Sequence, residues 1–236
     1  MSRGYLTFNN KDLRDYGVYI SGSGVFDAPE RVYDPITIPG RNGAILSTEK
    51  RLNNIEVTYP AFMYSDFKNN MTALKSFLLA QIGYQKLIDS YYPDQYRMAY
   101  YAGGMDVDAW PTLVAGKFDL TFNCKPQRFL ASGDTQQNFY ASGTITNPTA
   151  FDSQPRFRIY GTGSVTVNGV TMTISAADEY TTVDCESMEA YKGSTSKNSF
   201  LTLSGVDFPV LSPGDNTITL GSGITRVIVV PRWWVL

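Results

Sequence analysis

The sequence predicts a mainly β protein in two parts: an α+β N-terminal domain with one main helix, and an all-β sandwich after it. Three observations carry this reading. Tyr (16) and Phe (13) are abundant alongside Gly (20) and Pro (12), the mixture expected of short strands joined by frequent turns. One segment alone has convincing helical periodicity. Residues 131–150 then shift to Ala, Ser, Gly, Thr, Asn and Gln, which places a boundary there and sets the domains at 1–132 and 133–236.

The elements follow in order. Val18, Ile20, Val25, Ile36 and Ile38 sit in short extended stretches separated by Gly22, Gly24, Pro29, Pro35 and Pro39. Gly40-Arg41-Asn42-Gly43 is a loop with two positions that tolerate positive φ. Ile55 to Tyr59 alternates like a half-buried strand. Phe67, Met71, Leu74 and Leu78 fall on one face of a helix over 66–82, with Ser65 or Asp66 as its cap and Gly83 as its stop. Tyr84 to Ser90 reads as a strand, Tyr91-Tyr92-Pro93-Asp94 as a turn, Met98 to Tyr101 as another strand, and Gly103 to Asp108 as a loop. Lys117 to Cys124 alternates clearly, and Lys125-Pro126 is expected to end that strand. In the second half, Asn168-Gly169 between β-forming runs predicts a type I′ hairpin. Thr181 to Glu186, Ser199 to Leu203, Thr217 to Leu220 and Thr225 to Val230 complete a set of short strands typical of a sandwich.

Composition excludes several chemistries. The chain has 236 residues, 43% apolar and 18% charged, the profile of a globular protein. A net charge of −2 argues against a general nucleic-acid or anionic-membrane binder. There is no histidine, which removes Ser-His-Asp and Cys-His catalysis and every His-ligated metal site. Cys124 and Cys185 are far apart and read as buried thiols. Met1 to Asn10 lacks the apolar core of a signal peptide, and no apolar run approaches the ~20 residues of a membrane helix. The expectation is a protein made in a cytoplasm, with no membrane, cofactor or metal partner.

Weak chemical signals remain. Asp106/Asp108 and Glu186/Glu189 are the nearest carboxylate pairs; glycoside hydrolysis needs such a pair across a cleft, and both are expected on solvated loops. Asp106-Val107-Asp108 is only a scrap of a calcium loop. Gly161-Thr162-Gly163 and Gly221-Ser222-Gly223 have no phosphate-loop lysine and read as turns. Tyr180, Tyr191 and the Trp233-Trp234 pair could stack on sugars, which makes a carbohydrate-binding sandwich the alternative function; core or subunit contacts are the other reading of these rings.

Several segments taken together resemble the distal tail proteins of long, non-contractile phage tails. They are Ile38-Pro39-Gly40-Arg41-Asn42-Gly43, Asn54 to Tyr59, the helix with Leu74 and Leu78, Asp89 to Arg97 (Asp-Ser-Tyr-Tyr-Pro-Asp-Gln-Tyr-Arg), Phe118 to Arg128, and Pro231-Arg232-Trp233-Trp234. The resemblance implies a non-enzymatic virion protein of the tail tip, assembled in the bacterial host's cytoplasm. Its N-terminal domain would form a homo-hexameric ring between the tail tube protein and the tail tip or baseplate. DNA would pass the lumen without specific binding. Its galectin-like C-terminal sandwich would project outward, where in some phages it docks receptor-binding proteins. The second half is too short for an inserted sugar-binding module. Pro39, Gly40, Arg41, Asn42, Gly43, Tyr91, Tyr92 and Arg97 are the candidate subunit-interface residues, with Arg41, Asn42 and Arg97 polar enough for rim or lumen contacts or for an ordinary solvated loop. Trp233 and Trp234 follow the last sandwich strand and are expected at a seam between the domains, the alternative being that they close the core of their own domain.

Overall fold

The structure, a computed structural model, describes residues 4–22, 24, 26–47, 51–110 and 114–236. Val25 of the early extended stretches and the first three residues lie outside the described set. The chain forms two compact units, residues 1–128 with Leu236, and Phe129–Val235.

The first unit contains β1 (Leu6–Phe8), β2 (Lys11–Asp12), β3 (Tyr19–Ile20), β4 (Asp34–Thr37), β5 (Ala44–Ser47), β6 (Ile55–Met63), α1 (Phe67–Ala80), β7 (Gln85–Asp89), β8 (Gln95–Tyr100), β9 (Val107–Ala109) and β10 (Gly116–Leu130). Its main sheet runs β2-β1-β7-β8-β10-β6-β3, with β9 also paired to β10. Alternation decides which face is buried. Ile55, Val57, Tyr59, Ala61 and Met63 of β6 point inward with Phe118, Leu120, Phe122 and Cys124 of β10. Phe67, Met71, Leu74 and Leu78 of α1 join the same core.

Four local expectations change. Asp66 occupies the helix N-cap but sits at φ 45 and makes no capping bond with its side chain; its carboxylate accepts from the Asn69 side-chain amide instead, at 2.9 Å. The strand beginning at Ile55 continues through Pro60, because the Pro60 carbonyl faces Ser21, whose N–H it accepts at 2.9 Å. The missing N–H therefore faces the short β3 edge rather than the β10 ladder. Likewise Pro126 does not end β10. Pairing with β6 stops at Cys124–Ile55, so beyond that point one side of β10 no longer needs β6 donors, and a proline is tolerated. The loop expected from Gly103 through Asp108 stops at Asp106, because Val107–Ala109 forms β9, with Asp108 opposite Lys117.

The second unit is a two-sheet sandwich. Its strands are β11 (Gln137–Phe139), β12 (Gly143–Asn147), β13 (Arg156–Gly161), β14 (Gly163–Val167), β15 (Val170–Ile174), β16 (Tyr180–Asp184), β17 (Glu189–Lys192), β18 (Thr195–Ser196), β19 (Leu201–Leu203), β20 (Gly214–Leu220), β21 (Ile224–Val230) and β22 (Trp234–Val235). One sheet runs β11-β21-β13-β16-β17-β18 and the other β12-β20-β14-β15-β19. Phe157, Ile159, Val183, Val227 and Val229 from the first sheet share a core with Ile145, Val165, Val167, Met172, Ile174 and Ile218 from the second. The β14–β15 hairpin turns at Asn168 (φ 47) and Gly169 (φ 87), the positive pair that a type I′ turn requires.

Candidate interaction surfaces

The β4–β5 hairpin stands apart from the packed core. Asp34 pairs with Ser47 and Thr37 with Ala44, and the ladder extends outward through Val32 N–H to Arg51 C=O at 3.0 Å and Asn53 N–H to Glu30 C=O at 2.9 Å. Gly40 and Gly43 both take φ 80, a backbone that only glycine adopts without cost, and the Arg41 N–H closes the turn on Ile38 C=O at 3.2 Å. Every residue of both strands is exposed. Ile36 is 54% exposed, Ile45 43% and Leu46 61%. A two-stranded ribbon is marginal in water by itself; here Ile36 and Ile45 form one cross-strand apolar pair, and Leu46 lies on the opposite face beside Pro35. Pro39, Gly40, Arg41, Asn42 and Gly43 thus form its exposed tip.

Tyr91, Tyr92 and Arg97 gather elsewhere, around Asp89. The Asp89 Oδ1 accepts the Tyr91 and Tyr92 backbone N–H groups at 3.0 and 3.1 Å, which is why the chain turns there. Its Oδ2 accepts the buried Tyr59 hydroxyl at 3.0 Å and lies 3.7 Å from Arg128 Nη1. The Tyr91 hydroxyl donates to Ser21 C=O at 3.0 Å, and the Arg128 guanidinium lies 4.3 Å from the Tyr92 ring centroid.

Arg97 corrects the sequence reading. It is only 4% exposed, so it is no solvated rim or loop residue. Its Nη1 donates weakly to Pro126 C=O at 3.4 Å, its Nε has no partner, and burial together with the nearby Arg128 charge holds its pKa below the usual arginine value. Alternation could have revealed this: Arg97 shares the inward parity of Ala99, and Arg128 that of Cys124. Charge masked the pattern.

The tryptophans belong to different environments within the second unit. Trp233 is 3% exposed and part of the sandwich core. Its carbonyl accepts the Leu130 N–H at 2.9 Å. Trp234 stacks on Phe151 at 4.3 Å between centroids, and its indole N–H donates to Asp152 C=O at 2.9 Å. Between strand and tryptophans, Arg232 takes φ 57 and grips Asp184 with two hydrogen bonds.

Tyr180, Trp234 and Glu186 already have partners within the second unit, whereas Asp106 and Asp108 are exposed. Tyr180 lies under Arg158 and Lys192, with guanidinium and ammonium 4.9 and 5.4 Å from its centroid; Trp234 already has Phe151. Glu186 lies 3.4 Å from Arg232. Asp106 and Asp108 line an open trough with Asp119 and Lys117. No group of three or more His, Cys, Asp or Glu side chains among the described residues could hold a metal. Burial raises the Cys124 thiol to about 12 and pushes the Cys185 thiol up as well, so neither is a ready nucleophile.

Comparison with known proteins joins these observations. Residues 11–124 match the family described as the phage tail protein RIFT-related domain. Among solved structures the chain is similar to the Dit protein of phage SPP1, termed a paradigm of the hub adsorption apparatus in phages that infect Gram-positive bacteria. The TM-score is 0.70 at 17% identity, over 97% of this chain and 98% of that one. It is also similar to a chain of the phage p2 baseplate in its activated conformation, with a TM-score of 0.50 at 10% identity, over 97% and 98% of the two chains. No curated protein matches it in sequence. The match covers residues 11–124, most of the first unit. The chain as a whole shares its fold with the Dit protein of phage SPP1.

Proposed function

We propose that this chain is a structural hub of a phage tail. Six copies close into a ring that joins the tail tube to the tail tip or baseplate, with DNA passing through the lumen. The observation that carries the reading is the β4–β5 hairpin, every residue of whose strands is exposed, Ile36, Ile45 and Leu46 among them. A closed ring needs a heterologous contact, in which one patch meets a different patch on the next copy, and a protruding ribbon supplies one half of it. The sandwich is then the outward-facing part, available to receptor-binding or tail-associated proteins. The role is structural rather than enzymatic, and the site of action is the virion tail tip after assembly in the bacterial cytoplasm.

The experiment compares the mass and negative-stain images of the intact chain with those of a variant in which residues 33–47 are replaced by a short glycine linker. The intact chain is expected to form six-fold rings at high concentration, and the variant to stay monomeric while both units still melt cooperatively. Rings that persist without the hairpin would remove it from the interface.

A further inference from the structure

The two outward faces of the sandwich differ in charge. Alternation turns Phe157 and Ile159 of β13 and Val227 and Val229 of β21 into the core. Arg156, Arg158 and Tyr160 of β13, Arg226 of β21 and Tyr180 of β16 therefore face outward. Arg158 is exposed, and Arg156 and Arg226 are half-buried. The other sheet turns mostly threonine outward, such as Thr144 and Thr146 on β12 and Thr217 and Thr219 on β20, with Asp215 as its charge.

The arginines form a fixed row. Arg226 opposes Tyr160 across the β13–β21 ladder, and Tyr160 opposes Tyr180 across β13–β16. The Arg226 guanidinium lies 4.1 Å from the Tyr160 ring centroid, and that of Arg158 lies 4.9 Å from the Tyr180 centroid. Arg156 and Arg158 line a shallow depression with Thr182 and Ile228. Thr182 and Ile228 are buried although they point outward, so the aliphatic arginine stems cover them. Residues two apart on a strand repeat at ~6.7 Å; Arg156 and Arg158 keep that interval, and Arg226 continues the row one strand over.

Counter-charge is sparse along this row. Asp184 opposes Arg156 but is gripped by Arg232. Glu189 lies one strand further, opposite Asp184, and Glu179 lies 3.7 Å from Lys192. Among the described residues, no carboxylate forms an ion pair with Arg156, Arg158 or Arg226. The neighbouring Tyr140 and Tyr160 hydroxyls, not an acid, raise the Arg226 pKa.

A guanidinium stacked on a ring keeps its N–H edge open for a bidentate contact with a phosphate. The stacking also covers the faces of Tyr160 and Tyr180, on which a nucleic-acid base would otherwise lie. We infer that the outward face of this sheet binds a phosphodiester-linked polyol, a base-free chain with one phosphate per short repeat. Successive phosphates sit on Arg156, Arg158 and Arg226. The site is complete within one copy, so it stands or falls separately from the ring.

Fluorescence anisotropy of a short labelled oligo(glycerol phosphate) with the full chain, at stepped salt, tests it. Log K is expected to fall against log salt with a slope of about −2, three phosphates at about −0.7 each. Arg158→Gln with Arg226→Gln should weaken binding by more than about tenfold and flatten the slope to about −0.7. Lys68→Gln with Lys75→Gln, an equal charge change at exposed positions of α1, should alter neither. Arg158→Lys with Arg226→Lys keeps the charge and loses the fork, so it should hold the slope and still bind less tightly than wild type; this pair carries the comparison if glutamine loosens the sheet. Oligothymidylate of equal phosphate number binding as tightly would overturn the base-free ligand. Tighter binding of polyglutamate would replace it with an acidic protein segment. Equal losses in the arginine and lysine variants, or no binding at all, would overturn the site.

Discussion

Arg232 and Asp184 form a two-pronged ion pair, with Nη1 donating to Oδ1 at 2.6 Å and Nη2 to Oδ2 at 2.7 Å. Both side chains are largely shielded, at 18% and 10% exposure. Such bidentate pairs fix direction as well as distance. Here the direction matters because Arg232 sits in the left-handed region, where a non-glycine residue is strained, and it is the residue that turns the chain from β21 into Trp233. The ion pair thus holds a strained backbone that delivers an indole to the sandwich core.

Asp184→Asn should lower the stability of the sandwich by roughly 2–4 kcal/mol at neutral pH, since it leaves the shielded guanidinium only the more exposed Glu186 carboxylate, 3.4 Å away. The pH dependence follows from the sign of the shift. Burial disfavours the Asp184 carboxylate, but the Arg232 guanidinium outweighs it and the pKa falls below its ordinary value of 3.8. The stabilisation is therefore complete above that value and disappears as pH falls through the lowered one. Denaturant titrations at stepped pH should show the gap between wild type and variant narrowing in acid; a gap that stays constant would remove Asp184 from the linkage.

The two tryptophans should separate on truncation. Trp233→Ala empties a core site and is expected to cost about 3–5 kcal/mol. Trp234→Ala loses a stacked ring and one hydrogen bond at a partly exposed position, about 1–2 kcal/mol. Gly133→Ala should resemble the first, because its Cβ would collide with the Trp233 backbone nitrogen. Melting of the second unit on its own, residues 129–235, ranks all three; equal effects for the two tryptophans would contradict their assignment.

Much of the fold was legible where one physical signal acted alone. The spacing of Phe67, Met71, Leu74 and Leu78 marked α1, alternation marked β6 and much of β10, and Asn168-Gly169 marked the β14–β15 turn. What could not be read depended on partners distant in sequence. Pro60 and Pro126 look like strand breakers until it is known which side of each strand carries the ladder. Arg97 looks like a surface residue until Asp89 and Arg128 are brought beside it. The exposed tip at Arg41 was legible as a loop, but the apolar exposure of Ile36 and Leu46 was not, because hydrophobic residues in short strands ordinarily face a core.

Asp89 is the one carboxylate among Arg97, Arg128 and Tyr59. Asp89→Asn should cost the first unit about 3–5 kcal/mol, since two buried guanidinium groups then face each other with no counter-charge. Adding Arg97→Leu to that variant should recover part of the loss, as an apolar replacement of similar reach removes one of the stranded charges. A double variant less stable than Asp89→Asn alone would show that Arg97 is held by packing rather than by charge.

The hairpin should behave in the opposite way. Ile36→Ser with Leu46→Ser touches exposed side chains only, so the melting of the folded units should move by no more than about 0.5 kcal/mol. On the proposed ring, self-association should nevertheless fall sharply, because that exposed apolar surface would be what the contact buries. Sedimentation of the variant beside wild type checks both halves of this expectation.

Class-averaged images of the purified wild-type chain, taken at rising concentration up to its solubility limit, decide whether the proposed ring forms. Six-fold rings that appear as concentration rises are the expected result, and a particle that remains a single chain throughout would contradict the account.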